Sequence, residues 1–105
     1  MAIKRTLYDQ NGEKLSRFGK AGVQRALMAP VKILGNAKSA DYAMVRCEET
    51  DTYITRDGAG QRSCTFHVMW WVDNEARGKD FEFSKRDSAI NLFLKKSKEP
   101  IHEVA

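Results

Sequence analysis

Apolar and polar residues alternate with period two from Arg62 to Asp73, and again from Lys79 to Ser84 after a short polar break. Two such runs predict the antiparallel strands of one hairpin, because successive side chains on a strand leave opposite faces of the sheet. In the longer run Cys64, Phe66, Val68, Trp70 and Val72 share one face, which reads as core. Ser63, Thr65, His67, Met69 and Trp71 share the other. That second face is too apolar for an ordinary wet surface and too polar for an ordinary core, and any functional reading starts from it.

Asn11-Gly12 marks the turn of an opening hairpin over residues 3 to 18, because both residues tolerate positive φ. A three-residue loop with Gly12 in the left-handed bulge position sets Leu7 opposite Leu15, whereas a two-residue loop sets Tyr8 there, and the register stays open. Val23, Ala26 and Leu27 predict a short helix near 20–29 that stops before Pro30. Val31 to Leu34 reads as a short strand and Gly35 to Ala40 as a loop. From Tyr42 to Glu48, Ala43, Val45 and Cys47 alternate with Tyr42, Met44 and Arg46, predicting a strand. Another strand is expected over Thr52 to Arg56, followed by a turn at Asp57-Gly58-Ala59-Gly60.

Ser84 is the expected cap of a final helix over 85–97. Asp87 in its first turn and Lys95, Lys96 and Lys98 at its end oppose the helix dipole. Ile90, Phe93 and Leu94 form its apolar stripe, which should meet Phe66, Val68, Trp70, Phe81 and Phe83. The fold class expected is α+β: one domain over 1–105, a twisted, mostly antiparallel sheet of about five or six strands with the C-terminal helix packed on one face.

Composition narrows the partners. A chain of 105 residues, 42% of them hydrophobic, can bury one core without metal or disulfide staples. The net charge of +4 is unevenly placed: residues 1–38 hold eight Lys or Arg and two acids, a net +6, and the remaining 67 residues carry −2. Such asymmetry suits nucleic acid or an acidic protein. The longest apolar runs, Ala26 to Val31 and Val68 to Val72, are too short for a bilayer and no signal peptide is visible, so a cytoplasmic protein without a membrane partner is expected. Cys47 and Cys64 lie in strands and read as small buried hydrophobes.

Candidate chemistry is sparse. Cys64 and His67 have opposite strand parity and cannot share an ion, and Cys47 and His102 add no ligand spacing, so no metal is expected. Asp57-Gly-Ala-Gly60 lacks the lysine and hydroxyl of a phosphate loop, and no cofactor is expected. Two histidines leave a ribonuclease-like enzyme chemically open, but no motif selects them. A non-catalytic binding protein is the leading expectation. Single-stranded or structured nucleic acid ranks first, with Trp71 stacking on bases, His67 and Met69 lining the platform, and Arg5, Arg17, Lys20 and Arg77 holding phosphates.

Two rival accounts of Trp71 and Met69 stand beside this one. In the first they pack beneath the opening hairpin or the 20–29 segment as a second core. In the second they anchor a protein partner, of acidic character, as in inhibitors and accessory proteins of microbial or viral origin, with the strand edges at 3–8 and 31–34 as further docking points.

The order strand, polar turn ending Gly-Lys, Phe-x-Phe-Ser and helix between Phe66 and Leu94 resembles the small coactivator family that binds single-stranded DNA on a curved sheet and dimerises through a C-terminal helix. The likeness covers about a quarter to a third of the chain and carries no site residue across. It implies DNA binding and a homodimer.

Overall fold

A computed structural model describes residues 5–28, 42–57 and 64–99. The strand expected at 31–34, the loop after it, the turn at 58–60, the start of the long strand at 62–63 and His102 lie outside these residues. The elements run β1 (Leu7–Asp9), α1 (Lys20–Met28), β2 (Tyr42–Cys47), β3 (Thr52–Asp57), β4 (Thr65–Val72), β5 (Glu75–Glu82) and α2 (Arg86–Lys98). The five strands form one antiparallel sheet in sequence order, with α2 laid against it, an α+β fold.

The opening hairpin adopts the three-residue loop. Leu15 N–H donates to the Leu7 carbonyl at 2.8 Å and Asp9 N–H to the Glu13 carbonyl at 2.9 Å, which sets Leu7 opposite Leu15. Gly12 sits at φ 77°, the left-handed bulge position where a Cβ is costly. The Asp9 carboxylate accepts from the backbone N–H groups of Asn11 and Glu13 and fastens the loop.

The central hairpin is longer than its sequence pattern. Asp73 and Asn74, at φ 50° and 65°, make a two-residue turn, and β5 begins at Glu75 rather than at Lys79. Asp and Asn tolerate this left-handed region, and two consecutive positive φ values match the twist of the flanking strands. Residues 75 to 80 are exposed on both faces, so no apolar alternation marks them as strand.

A second difference concerns the helix start. The extended residue that leads into helical backbone is Glu82, followed by a 3₁₀ turn over Phe83–Lys85, so Ser84 lies inside a turn and not at the flanking position a cap requires. Lys85 occupies the cap position of α2 without a side-chain cap bond. Asp87 lies in the first turn and Lys95, Lys96 and Lys98 in the last, each favourable to the dipole. Arg5 closes the far end: its Nε and Nη2 donate to the carbonyls of Ser97 and Glu99 at 2.7 and 3.0 Å.

Ile90 and Phe93 of α2, Val23 and Leu27 of α1, and Leu7, Val45, Ile54, Phe66 and Val68 of the sheet form one buried cluster, with Trp70, Phe81, Phe83 and Leu94 packed against it. The core face of β4 is therefore the one the alternation marks. Cys47 and Cys64 are both buried. No described helix is long and apolar enough to cross a membrane.

Candidate functional site on the open sheet face

With both helices on one side, residues of the opposite parity face away from the core. Strand register sorts them into rows. One row crosses all five strands as Tyr8, Arg46, Tyr53, Met69 and Gly78. The next holds Met44, Thr55, His67 and Asp80, and a third Asp57, Thr65 and Glu82. Trp71 pairs with Ala76 at the far end of β4. Directly opposed side chains on one face lie within contact distance, so each row is a physical neighbourhood.

Trp71 is 45% exposed, whereas Tyr53, His67 and Met69 are partly covered. The second-core account is thereby overturned: α1 lies on the core face, and neither it nor the opening hairpin covers Trp71. The ring is nonetheless held. Its Nε1–H donates to the Asp51 carbonyl at 3.1 Å, and the Asp51 carboxylate accepts from Arg46 Nε at 2.9 Å. The Arg46 guanidinium lies 5.9 Å from the centre of the Tyr53 ring, and the Asp51 hydrogen bond raises its already high pKa. Asp51 takes φ 53°, a left-handed conformation that aims both its carbonyl and its carboxylate at this group.

His67 is positioned as firmly. Its Nδ1 pairs with the Asp80 carboxylate directly across the strand pair. The ring lies over Gly78, where a Cβ would come within 3.0 Å of it. Gly78 is thus the gap in β5 that admits the imidazole.

Three of the residues singled out by sequence, His67, Met69 and Trp71, share this face. The four cations named with them do not join it. Arg5 binds the end of α2 and Arg17 is exposed ahead of α1. Lys20 on α1 pairs with Asp87 at 3.7 Å. Arg77 opposes Trp70, not Trp71, and so lies on the helix-side parity of β5, paired with Glu75 at 3.3 Å. Arg46, Tyr53 and Tyr8 are the face residues that sequence reasoning left out. Parity already placed Arg46 beside Met44, but nothing local showed that β2 would align with Trp71's strand through β3.

Charge is segregated between the two sides. Among described residues the rows hold Lys14, opposite Tyr8, and Arg46 as cations against Asp57, Asp80 and Glu82, with Asp51 in the adjoining turn. The stretches 17–28 and 83–99, which contain the helices, hold eight Lys or Arg and two acids.

At the Trp71 end of the sheet a cleft of about 310 Å³ opens between the β2–β3 turn, the β4–β5 turn and the end of α2. Trp70 and Trp71 line it together with the acidic residues Glu49, Asp51, Asp73 and Glu99, and among the described lining residues Lys96 is the one cation. Burial pushes the Glu49 carboxyl up, but hydrogen bonds from Thr6 and from the Cys47 thiol outweigh it and hold the group below the usual range.

No family model, curated protein or solved structure matches the chain. The resemblance to the coactivator family stays one of element order.

Proposed function

We propose that this is a non-catalytic binding protein that holds a protein partner of basic surface on the open sheet face. The observation that carries the reading is the separation of aromatic from basic residues. Tyr8, Tyr53, Met69 and Trp71, with Arg46 among them, lie toward one end of the face, and Asp57, Asp80 and Glu82 toward the other end and the β5 edge. Enrichment in aromatic residues, Met and Arg with charged residues beside them is the composition of protein interfaces. Among the described residues a phosphate backbone on this face would meet more carboxylates than cations, one of which, Arg46, is already engaged by Asp51. A basic partner meets complementary charge.

The first sequence expectation, nucleic acid, keeps one specific support. The cation excess of the helical stretches would attract phosphates, without the stacking platform. One experiment separates the two. The protein and its Trp71→Ala and Lys95→Glu/Lys98→Glu variants are used as bait, any captured protein is purified and its binding to each variant measured, and labelled oligonucleotides are titrated at two salt concentrations. A basic protein that binds in reconstitution and is lost with Trp71→Ala supports the proposal. Oligonucleotide binding lost with the lysine variant, without such a protein, overturns it in favour of nucleic acid.

A further inference from the structure

The cleft at the Trp71 end of the sheet is lined from both sides of β4, and two of its features specify what it would accept. Trp70 already carries a cation: Lys96 Nζ lies 5.1 Å from its ring centre and is held there by Glu99 at 3.1 Å. Trp71, which leaves the other face of β4, also lines the cleft, with its indole N–H committed to the Asp51 carbonyl and 45% of its surface exposed. That exposed indole is available to a planar cation.

The charge balance of the surroundings favours a cation. Asp51 pairs with Arg46, Glu99 with Lys96 and the last carbonyls of α2 with Arg5, so Glu49 and Asp73 leave the described lining negative. Asp73 is exposed in the positive-φ turn that shapes one rim, and no ion pair occupies it among the described residues.

We infer that this cleft receives an arginine side chain of the partner, the guanidinium stacking on Trp71 and hydrogen-bonding to Asp73 and the Asp51 side of the cleft. Arginine fits better than lysine because its planar group stacks and donates in a fork at once, whereas an ammonium is a compact, strongly hydrated point charge. The inference rests on the proposed docking of a basic protein and names where that docking is decided.

The test uses the intact protein and a capped Gly-Arg-Gly peptide, with Gly-Lys-Gly, Gly-citrulline-Gly and spermidine alongside, read by the indole N–H resonances of Trp71 and Trp70. A saturable shift of Trp71 by the arginine peptide at concentrations on the order of 1–10 mM is expected. The lysine peptide should bind several-fold more weakly and the citrulline peptide not at all. The double variant Asp51→Asn/Asp73→Asn keeps residues that tolerate positive φ, and should lower arginine-peptide affinity at least about tenfold with an unchanged backbone spectrum.

No saturable Trp71 shift, or equal binding of arginine and citrulline peptides, overturns the inference. So does preference for spermidine, which would make the cleft a polyamine site. If the peptide binds the cleft but no basic protein docks on the face, the docking proposal fails and the cleft stands. If such a protein docks equally well on the double variant, the cleft inference alone fails.

Discussion

The imidazole of His67 lies over Gly78 on the adjacent strand, in a space that a single added carbon would contest at 3.0 Å. Its Nδ1 faces Asp80, so the two neighbours fix the ring from below and from the side. Gly78→Ala should displace the ring and disturb the pairing with Asp80. Strand glycine is itself unfavourable by about 0.5–1 kcal/mol relative to alanine, so net stability should change by less than about 1 kcal/mol. Ring carbon resonances of His67 that do not move in the variant would contradict this account.

The position of Arg5 predicts an effect on stability. Its two donated bonds satisfy carbonyls at the end of α2 that have no partner within the helix. Arg5→Ala should cost about 1–2 kcal/mol in denaturant unfolding and speed amide exchange in the last turn of α2. Arg5→Lys should recover little, since one ammonium cannot reproduce the fork. A loss of partner binding without loss of stability would return Arg5 to the recognition surface.

Glu49 gives a pH dependence with a definite sign. Its folded-state pKa lies below its ordinary value of 4.5, so its contribution to stability is complete above that value and is lost as pH falls through the lower folded pKa. Glu49→Gln should therefore be less stable than the parent near neutrality, with the difference shrinking as pH falls below 4.5. Urea unfolding of both proteins across that range measures it. A difference that grows on acidification would refute the assignment.

The central turn can be probed by substitution at Asn74, held at φ 65°. Asn74→Val places a β-branched residue in the left-handed region and should cost about 1–2 kcal/mol. Asn74→Gly should be neutral or stabilising by a few tenths, near 0.5 kcal/mol at most, roughly the conformational preference at stake. Thermal unfolding of the two variants should thus move in opposite directions or leave only the valine protein shifted.

Strands β2, β3 and β4, helix α2 and the core side of β4 were legible because one face of each is buried, which writes a period of two or of 3.6 into the chain. The first half of β5 was not, since Glu75 to Asp80 is wet on both faces and carries no period. Ser84 misled because capping depends on backbone geometry two residues earlier, at Glu82, rather than on residue type. His67, Met69 and Trp71 were legible as one face for the same reason as the core. The cations around them were not, because Arg77 differs from Trp71's partner Ala76 by one position of register, and Lys20 by a whole layer of the fold.

Every sheet ends in two strands whose outer backbone groups are unpaired, and such rims template polymerisation when they are long, flat and apolar. Here β1 is short and its outer side is taken by the returning arm at Glu13 to Leu15. The other rim, β5, carries Glu75, Arg77, Lys79, Asp80 and Glu82 in eight residues, so a strand approaching it must strip water from charge after charge. Fibril growth and strand exchange are disfavoured at both rims, which leaves the molecule free to display an aromatic surface at high concentration without adding copies of itself sideways.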